Sequence, residues 1–434
     1  MIEPLPGIVD IGRYDPRLVR FRTRHPALPI ALVLFAVAAC TSDTSGRGAP
    51  ATTTTTQPAT TSTATPTTTT LPRQTVIVDG DLPADLGEAL TIFYSYAADR
   101  RNATPDVPSG LLGYLSTAPE PSAQRLTAEA VVGTLLEDAS VAAVSVGPND
   151  LVLAVDEGDG WRIVGADLGG HRFGPWFGDA PRKVLILGSD ARPGEDQQRF
   201  RADSVHVVTA VPSTGTGAIV GFPRDSYIET SLGDMKLTSV MAGRGPEVMR
   251  EEFEAYFELP VDGYIVTGFR GFEDLVGELG TLLIDLPRSV PSRLYWPGFS
   301  SGEQELSPQR TLELARTRKG VPGGDFTRSW NQGLIMLAAM RMIQLGSVED
   351  VPILLEQLVR HVWTDLSATD LIQLGAAAFA LDPDTVTNTV LPGTLGRAGR
   401  SSVVLLDPEA DDILEDLADD GLVDEDSAAS GPAG

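Results

Sequence analysis

A single cysteine in 434 residues rules out an internal disulfide, and four scattered histidines rule out a Cys/His zinc cluster. Cations are scarce too: 33 Lys and Arg stand against 59 Asp and Glu, for a formal net charge of −26 and a pI near 4.4. A surface that acidic repels polyanions at long range, which excludes sequence-independent nucleic-acid binding. The apolar fraction of 42% and charged fraction of 21% are those of an ordinary soluble globular chain, so full disorder and a multispanning membrane protein are excluded as well. The length predicts two or three domains at ~150 residues each.

The first 40 residues have the layout of an export signal. Arg13, Arg17, Arg20, Arg22 and Arg24 precede an apolar run from Ala27 to Ala39. That run has 13 residues, short of the roughly 20 of a spanning helix and suited to a signal-peptide core. It ends in Val37-Ala38-Ala39-Cys40, which resembles the lipobox of bacterial lipoproteins. That resemblance implies cleavage before Cys40 and acylation of its sulfur; the other reading is a short uncleaved anchor. Either way the bulk of the chain is expected outside the cytoplasmic membrane, attached to its outer face. Residues 41–74 read as a tether, since 13 of the 19 residues from Thr52 to Thr70 are Thr and offer almost no apolar surface to bury.

Residues 75–179 read as a small α+β accessory domain with no legible chemistry. Val76–Val78 is a strand, Leu86–Arg100 has helical spacing, and Val141–Val146 and Leu151–Val155 form a hairpin about Gly147-Pro148-Asn149-Asp150. From 180 to 397 strands and helices alternate, which predicts an α/β layered domain. Strands are expected at Lys183–Leu187, Val205–Val211, Ala218–Phe222, Tyr264–Thr267, Leu282–Leu286 and Val386–Leu391. Helices are expected at Val248–Phe257, Phe272–Leu279, after the Ser307 cap, at Phe326–Leu345, at Val351–His361 and after Ser367. Residues 398–434 read as an acidic, disordered tail, with 11 acidic and no basic residues between Asp407 and Asp426.

The chemistry-bearing residues stand at element ends. Asp190 follows a strand and a small-residue turn, where open α/β sheets bind ligands and where a hard cation fits; a plain turn residue is the alternative. Arg201 and Asp203 share a face of an extended segment, as site residues or as a surface ion pair. Asp190 and Asp203 both sit at strand boundaries that a parallel-type sheet brings together. Pro223-Arg224-Asp225 lies at a strand exit, Arg316 and Arg318 end a helix, and Arg328 and Gln332 share one helical face. Planar guanidinium forks match phosphate oxygens bidentately, so arginines gathered at element ends of a cation-poor chain point to a phosphate or pyrophosphate cradle.

These strings, in order, resemble the LytR-CpsA-Psr family: Leu187-Gly188-Ser189-Asp190-Ala191-Arg192, Arg201-Ala202-Asp203-Ser204, Phe222-Pro223-Arg224-Asp225, Leu314-Ala315-Arg316-Thr317-Arg318 and Gly324-Asp325-Phe326-Thr327-Arg328 with Gln332. The resemblance covers Arg182 to Arg341 and, more loosely, continues to Pro392. It implies a mixed β-sheet sandwiched between α-helices. It also implies an extracytoplasmic phosphotransferase that moves an anionic glycopolymer from a polyprenyl pyrophosphate carrier onto peptidoglycan. Carried onto this chain, Asp190 and Asp203 match the aspartates associated with Mg²⁺ (or Mn²⁺). Arg201, Arg224, Lys236, Arg316, Arg318, Arg328 and Gln332 match the pyrophosphate-contacting set, and Asp203 or Asp225 would take the acceptor's proton. Phe272, Leu275, Leu337 and Met340 are expected to line an apolar tunnel for the lipid chain. Thr238 stands where the family usually has Asn, Gly243-Arg244-Gly245 where it has a Gly-Gly string, and Asn331 where it has a further Arg.

Two other readings keep the same site: a module that binds lipid-linked glycan without transferring it, and a polyprenyl pyrophosphatase with water as acceptor. A transcriptional attenuator, the role in the family's older name, conflicts with the export signal and the acidic charge.

Overall fold

The computed structural model describes residues 72–135, 139–192, 194–292 and 298–424. The export signal, Cys40 and nearly all of the tether lie outside the described residues, and no described helix is long and apolar enough to cross a membrane.

The chain opens with β1 (Ile77–Asp81), α1 (Ala84–Ala98), α2 (Ser109–Ser116), β2 (Arg125–Thr134), β3 (Ser140–Val146), β4 (Asp150–Asp156) and β5 (Arg162–Asp167). The five strands form one sheet in the order β1-β2-β3-β4-β5, parallel only between β1 and β2. The β3–β4 pair is the expected hairpin, turning at Gly147 with φ of 60°. On one face Leu86, Leu90 and Phe93 of α1 pack with Val144, Val152 and Ile163 of the strands.

The rest follows as β6 (Arg182–Ser189), β7 (Ala202–Val211), β8 (Thr216–Gly221), β9 (Tyr227–Ile228), β10 (Met235–Lys236), α3 (Leu237–Val240), α4 (Pro246–Phe257), β11 (Gly263–Thr267), α5 (Phe269–Leu279), β12 (Leu282–Leu286), β13 (Gly302–Leu306), α6 (Pro308–Arg316), α7 (Asp325–Ile343), α8 (Val351–Leu358), β14 (Trp363–Thr364), α9 (Ala368–Ala380), β15 (Val386–Val390), β16 (Gly393–Ala398), β17 (Ser401–Leu406) and α10 (Glu409–Asp419). The central sheet runs β14-β11-β6-β7-β8-β15; β6/β11 and β8/β15 are parallel and the other pairs antiparallel. Both faces are covered, so its inner strands read as near-continuous apolar runs. Leu185, Leu187, Val205, Val207 and Val220 pack with α4 and α10 on one side. Val184 and Ile186 face α8 and α9 on the other. The mixed sheet between helices is therefore as expected.

Helix starts follow local chemistry. Ser307 caps α6 by accepting from Arg310 N, and Ser367 forms a capping box with Asp370 at the start of α9.

Three expectations are corrected. β6 and β7 pair antiparallel, not parallel, so Asp190 and Asp203 meet because the chain doubles back between them. The stretch after 397 is not a tail throughout: β17 pairs with β16, and α10 buries Ala410, Ile413 and Leu417 in the central core. The boundary expected near 179 does not separate independent bodies, for the chain from Thr70 onward is one compact unit. Val141, Leu153 and Val155 of the first sheet share an apolar core with Val351 of α8 and Leu371, Ile372 and Ala376 of α9.

Candidate active site

Beyond β6 the chain passes through Ser189 and Asp190 and returns through Arg201 into β7, with an irregular register at Gly188/Ser189. The return is tied by a reciprocal clasp. Asp190 N donates to Arg201 O, and Arg201 N donates to Asp190 Oδ1, each at 3.0 Å. The Arg201 guanidinium closes on Asp190 Oδ2 through Nε (3.0 Å) and Nη2 (2.7 Å). That clasp brings both aspartates to the wall of one cavity of about 680 Å³, between β6, β7 and β11 and helices α5, α6 and α7.

The cavity is locally cationic in an acidic protein. Arg192, Arg224, Arg316, Arg318 and Arg328 line it, against only Asp190 and Asp203 among the described residues. Much of its other lining is apolar, from Ile186, Ile265, Phe269, Phe272, Leu275, Leu312, Ile335 and Met336. Along α7 the change of character has a direction: Arg328 and Gln332 come first, Ile335 and Met336 follow, so the lining passes from charged to apolar over ~12 Å at 1.5 Å per residue. A ligand with an anionic head and a hydrocarbon tail matches that gradient.

The arginines are held by carboxylates. Arg224 pairs with Asp203 and approaches Asp325 at 3.6 Å; Arg328 Nη2 lies 2.9 Å from Asp325 and donates to the Asp203 carbonyl at 2.9 Å. Asp325 opens α7, where the helix's positive end favours a carboxylate. Arg224 Nε and Arg328 Nε are buried and make no hydrogen bond, the former facing Asp325 at 3.6 Å. Burial pushes the Arg328 guanidinium below its ordinary value, with Asp325 opposing; the group remains a cation. Arg316 lies over the Phe269 ring at 4.1 Å, a cation–π contact that fixes its guanidinium at the wall.

Seven of the residues singled out in the sequence thus line one cavity: Asp190, Asp203, Arg224, Arg316, Arg318, Arg328 and Gln332. Three do not. Arg201 stands behind Asp190, with its side chain 60% exposed. Lys236 and Asp225 pair with each other at 3.0 Å beside the cavity rather than in its wall. Of the expected apolar lining, Phe272 and Leu275 are there, but Leu337 and Met340 turn to a separate core with Ile219 and Ala377. The helical period places Ile335 and Met336 on the cavity side instead.

Four further residues of the wall and its supports, Arg192, Ser204, Phe269 and Asp325, are not marked as site residues by the sequence pattern. Arg192, Ser204 and Asp325 lie inside the family-like strings; nothing in the sequence marks Phe269 as a shelf for Arg316.

Among the described residues no three His, Cys, Asp or Glu gather as a metal cluster. Asp190 and Asp203 alone fit a cation that takes its remaining ligands from phosphate oxygens and water, as Mg²⁺ characteristically does.

This order of motifs on a sheet between helices places the chain in the LytR_cpsA_psr family, to which it belongs: the family's profile matches residues 177–419, more than half of the chain. Among individual proteins it is 25% identical over 243 residues to the polyisoprenyl-teichoic acid–peptidoglycan teichoic acid transferase TagV of Bacillus subtilis, covering 53% of this chain and 61% of that one. The transferase TagU of Bacillus licheniformis is 33% identical over 154 residues, 35% of this chain and 49% of its own. The crystal structure of B. subtilis TagV superposes with a TM-score of 0.49 at 23% identity, over 56% of this chain and 98% of that chain. The chain thus spans about three fifths of the length of TagV.

Proposed function

We propose that this protein is an extracytoplasmic phosphotransferase that attaches an anionic glycopolymer, carried on polyprenyl pyrophosphate, to peptidoglycan. The observation that carries the reading is the cavity itself, five arginines and two aspartates grading into an apolar wall. The teichoic acid transferases among the relatives support it.

In the reaction, a peptidoglycan sugar hydroxyl attacks the glycan-side phosphorus. A new P–O bond forms, the bond to the bridging oxygen breaks, and polyprenyl phosphate leaves with the electron pair. The hydroxyl proton passes to a carboxylate, and Asp203 is the carboxylate of choice because Asp225 is held outside the cavity by Lys236. Arg224, Arg316, Arg318 and Arg328 neutralise the pyrophosphate and hold it in line. Asp190 and Asp203 would hold Mg²⁺ or Mn²⁺, which when bound supplies Lewis-acid stabilisation of charge on the phosphates. Phe272, Leu275 and Met336 shield the lipid end from water.

The test is transfer of a phosphoglycan from a polyprenyl pyrophosphate donor to peptidoglycan fragments. Excess chelator is expected to stop it and added Mg²⁺ or Mn²⁺ to restore it, with Asp190→Ala and Asp203→Ala losing both activity and metal dependence. Full activity in chelator removes the metal from the proposal. Release of free phosphoglycan without an acceptor makes the protein a pyrophosphatase, and tight donor binding without turnover makes it a carrier.

A further inference from the structure

Of the five arginines in the cavity wall, Arg192 alone has no task in the reaction above. It stands two residues beyond Asp190, in the loop that carries the chain from β6 back to β7, and it lines the cavity from an exposed position. That loop holds its backbone at both ends. Arg192 N donates to Glu195 Oε2 at 2.6 Å, and Glu195 N donates back to Arg192 O at 3.0 Å. They close a turn in which Gly194 takes a φ of 89°, a conformation that suits glycine. The Gln197 amide adds a staple, its Nε2 donating to Arg192 O at 3.1 Å and to Glu195 O at 2.9 Å. Both partners are carbonyls, which only accept, so the two amide hydrogens are used and the amide has one orientation. The Arg192 carbonyl accepts twice, as its two lone pairs allow. Gln197 rests on Gly268, where a Cβ would fall 1.7 Å from Gln197 Oε1. Gly268 precedes Phe269, whose ring carries Arg316 at 4.1 Å, so the loop is moored beside a second arginine of the same wall.

The Arg192 guanidinium is not tied in this way. Among the described residues it has neither an ion pair nor a hydrogen bond. The carboxylates nearest to it along the chain are engaged elsewhere. Asp190 takes the Arg201 N–H and guanidinium, Glu195 takes the Arg192 N–H, and Asp196 takes the Gln198 N–H. Arg224 and Arg328 differ, since Asp203 and Asp325 already hold them. A pinned backbone that carries an unpaired fork into a cavity is pre-organised for an anion: the loop is ordered without a ligand, and no carboxylate has to be displaced.

We propose that Arg192 is a further substrate-binding residue whose guanidinium takes a phosphate oxygen at the glycan end of the donor, with Gln197 as the positioning residue that holds it there. The inference rests on the pyrophosphate reading above. Arg224 and Arg328 form the buried floor of the charged end, their side chains 11% and 6% exposed. Arg192 is exposed at its rim, where it meets the part of the donor that stays hydrated, and that part is the glycan rather than the lipid. The oxygen belongs to the pyrophosphate or to the first phosphate of the glycopolymer, and both offer a guanidinium the same chemistry.

Binding to the full chain tests this with two probes, inorganic pyrophosphate and the lipid-linked phosphoglycan donor. Arg192→Gln is expected to lower affinity roughly tenfold, as losing one hydrogen bond to a charged group does. Its thermal midpoint is expected to stay parental, because the guanidinium has no partner to lose among the described residues. Loss for both probes places the oxygen on the pyrophosphate, and loss for the donor alone places it on the glycan. Gln197→Ala is expected to weaken binding about threefold in the parent and not at all in Arg192→Gln, since it acts through that side chain. Parental affinity of Arg192→Gln for both probes, or an equal Gln197→Ala loss in both backgrounds, overturns the proposal and leaves the pyrophosphate reading standing. A parent chain that binds neither probe brings down that reading and this inference together.

Discussion

Arg224 concentrates the electrostatics of the site in one side chain. It leaves the end of the apolar strand β8, is 11% exposed, and touches both Asp203 and the neighbourhood of Asp325. Replacement by Ala removes the cation between two carboxylates and one fork of the cradle. A charge-assisted contact to phosphate is worth ~1.5–3 kcal/mol, so kcat/KM for transfer is expected to drop roughly tenfold to a hundredfold. Near-parental turnover by Arg224→Ala in the transfer assay would refute the cradle. At this scale the sequence showed which residues carry charge at element ends, and six of them meet, with Gln332, at one cavity. It did not show which charges are already spoken for. Arg201, Asp225 and Lys236 are cancelled by neighbours 11 positions away, and a carboxylate's partner is a matter of where loops return. His206 sits in an apolar strand run, where alternation reads it as core; its bonds to Ser329, 123 positions on, exist only in the folded chain.

Helix α10 shows the same limit in an element. Acidic composition between Asp407 and Asp426 reads as a solvated tail, yet Ala410, Ile413 and Leu417 recur at three- and four-residue intervals and are fully buried. The carboxylates occupy the opposite face, which is where an amphipathic helix puts them. Leu417→Ala is expected to cost ~2–5 kcal/mol, the range for a truncated core leucine, and to lower the thermal midpoint measured by circular dichroism. An unchanged midpoint would mean that α10 contributes nothing to the core. The well-capped helices α6 and α9 were legible because Ser307 and Ser367 act within one turn of themselves.

Across the whole molecule, the first sheet and the central sheet share a core with α8 and α9 between them. Gln373 of α9 makes the join specific: it donates to Val164 O at 2.6 Å and accepts from the buried Arg182 at 2.6 Å. Removing residues 72–167 would bare Leu371, Ile372 and Ala376, so the remainder is expected to lose cooperative unfolding and to aggregate on size-exclusion chromatography. A monomer with the parental thermal midpoint would show the first sheet to be a separable domain after all. At the other end of the chain, we propose that acylation at Cys40 anchors the protein to the outer membrane face, as the lipobox-like string suggests. Cys40→Ser is expected to move it from the membrane to the soluble fraction, and unchanged retention and gel mobility would argue for an uncleaved anchor.

The sequence by itself determined the alternation of strands and helices, the family, and the identity of most of the charged cavity residues. Each of these depends on contiguous strings or on periodicities of two and 3.6, which are properties of neighbours along the chain. The tertiary structure alone decided the antiparallel return that joins Asp190 to Asp203, the burial of α10 and the single core beneath two sheets. It also decided which of Leu337, Met340, Ile335 and Met336 face the ligand cavity. These outcomes depend on which surface another element covers: α10 and the shared core are buried by residues more than a hundred positions away, and even the Asp190–Arg201 clasp needs a loop to return over 11 positions.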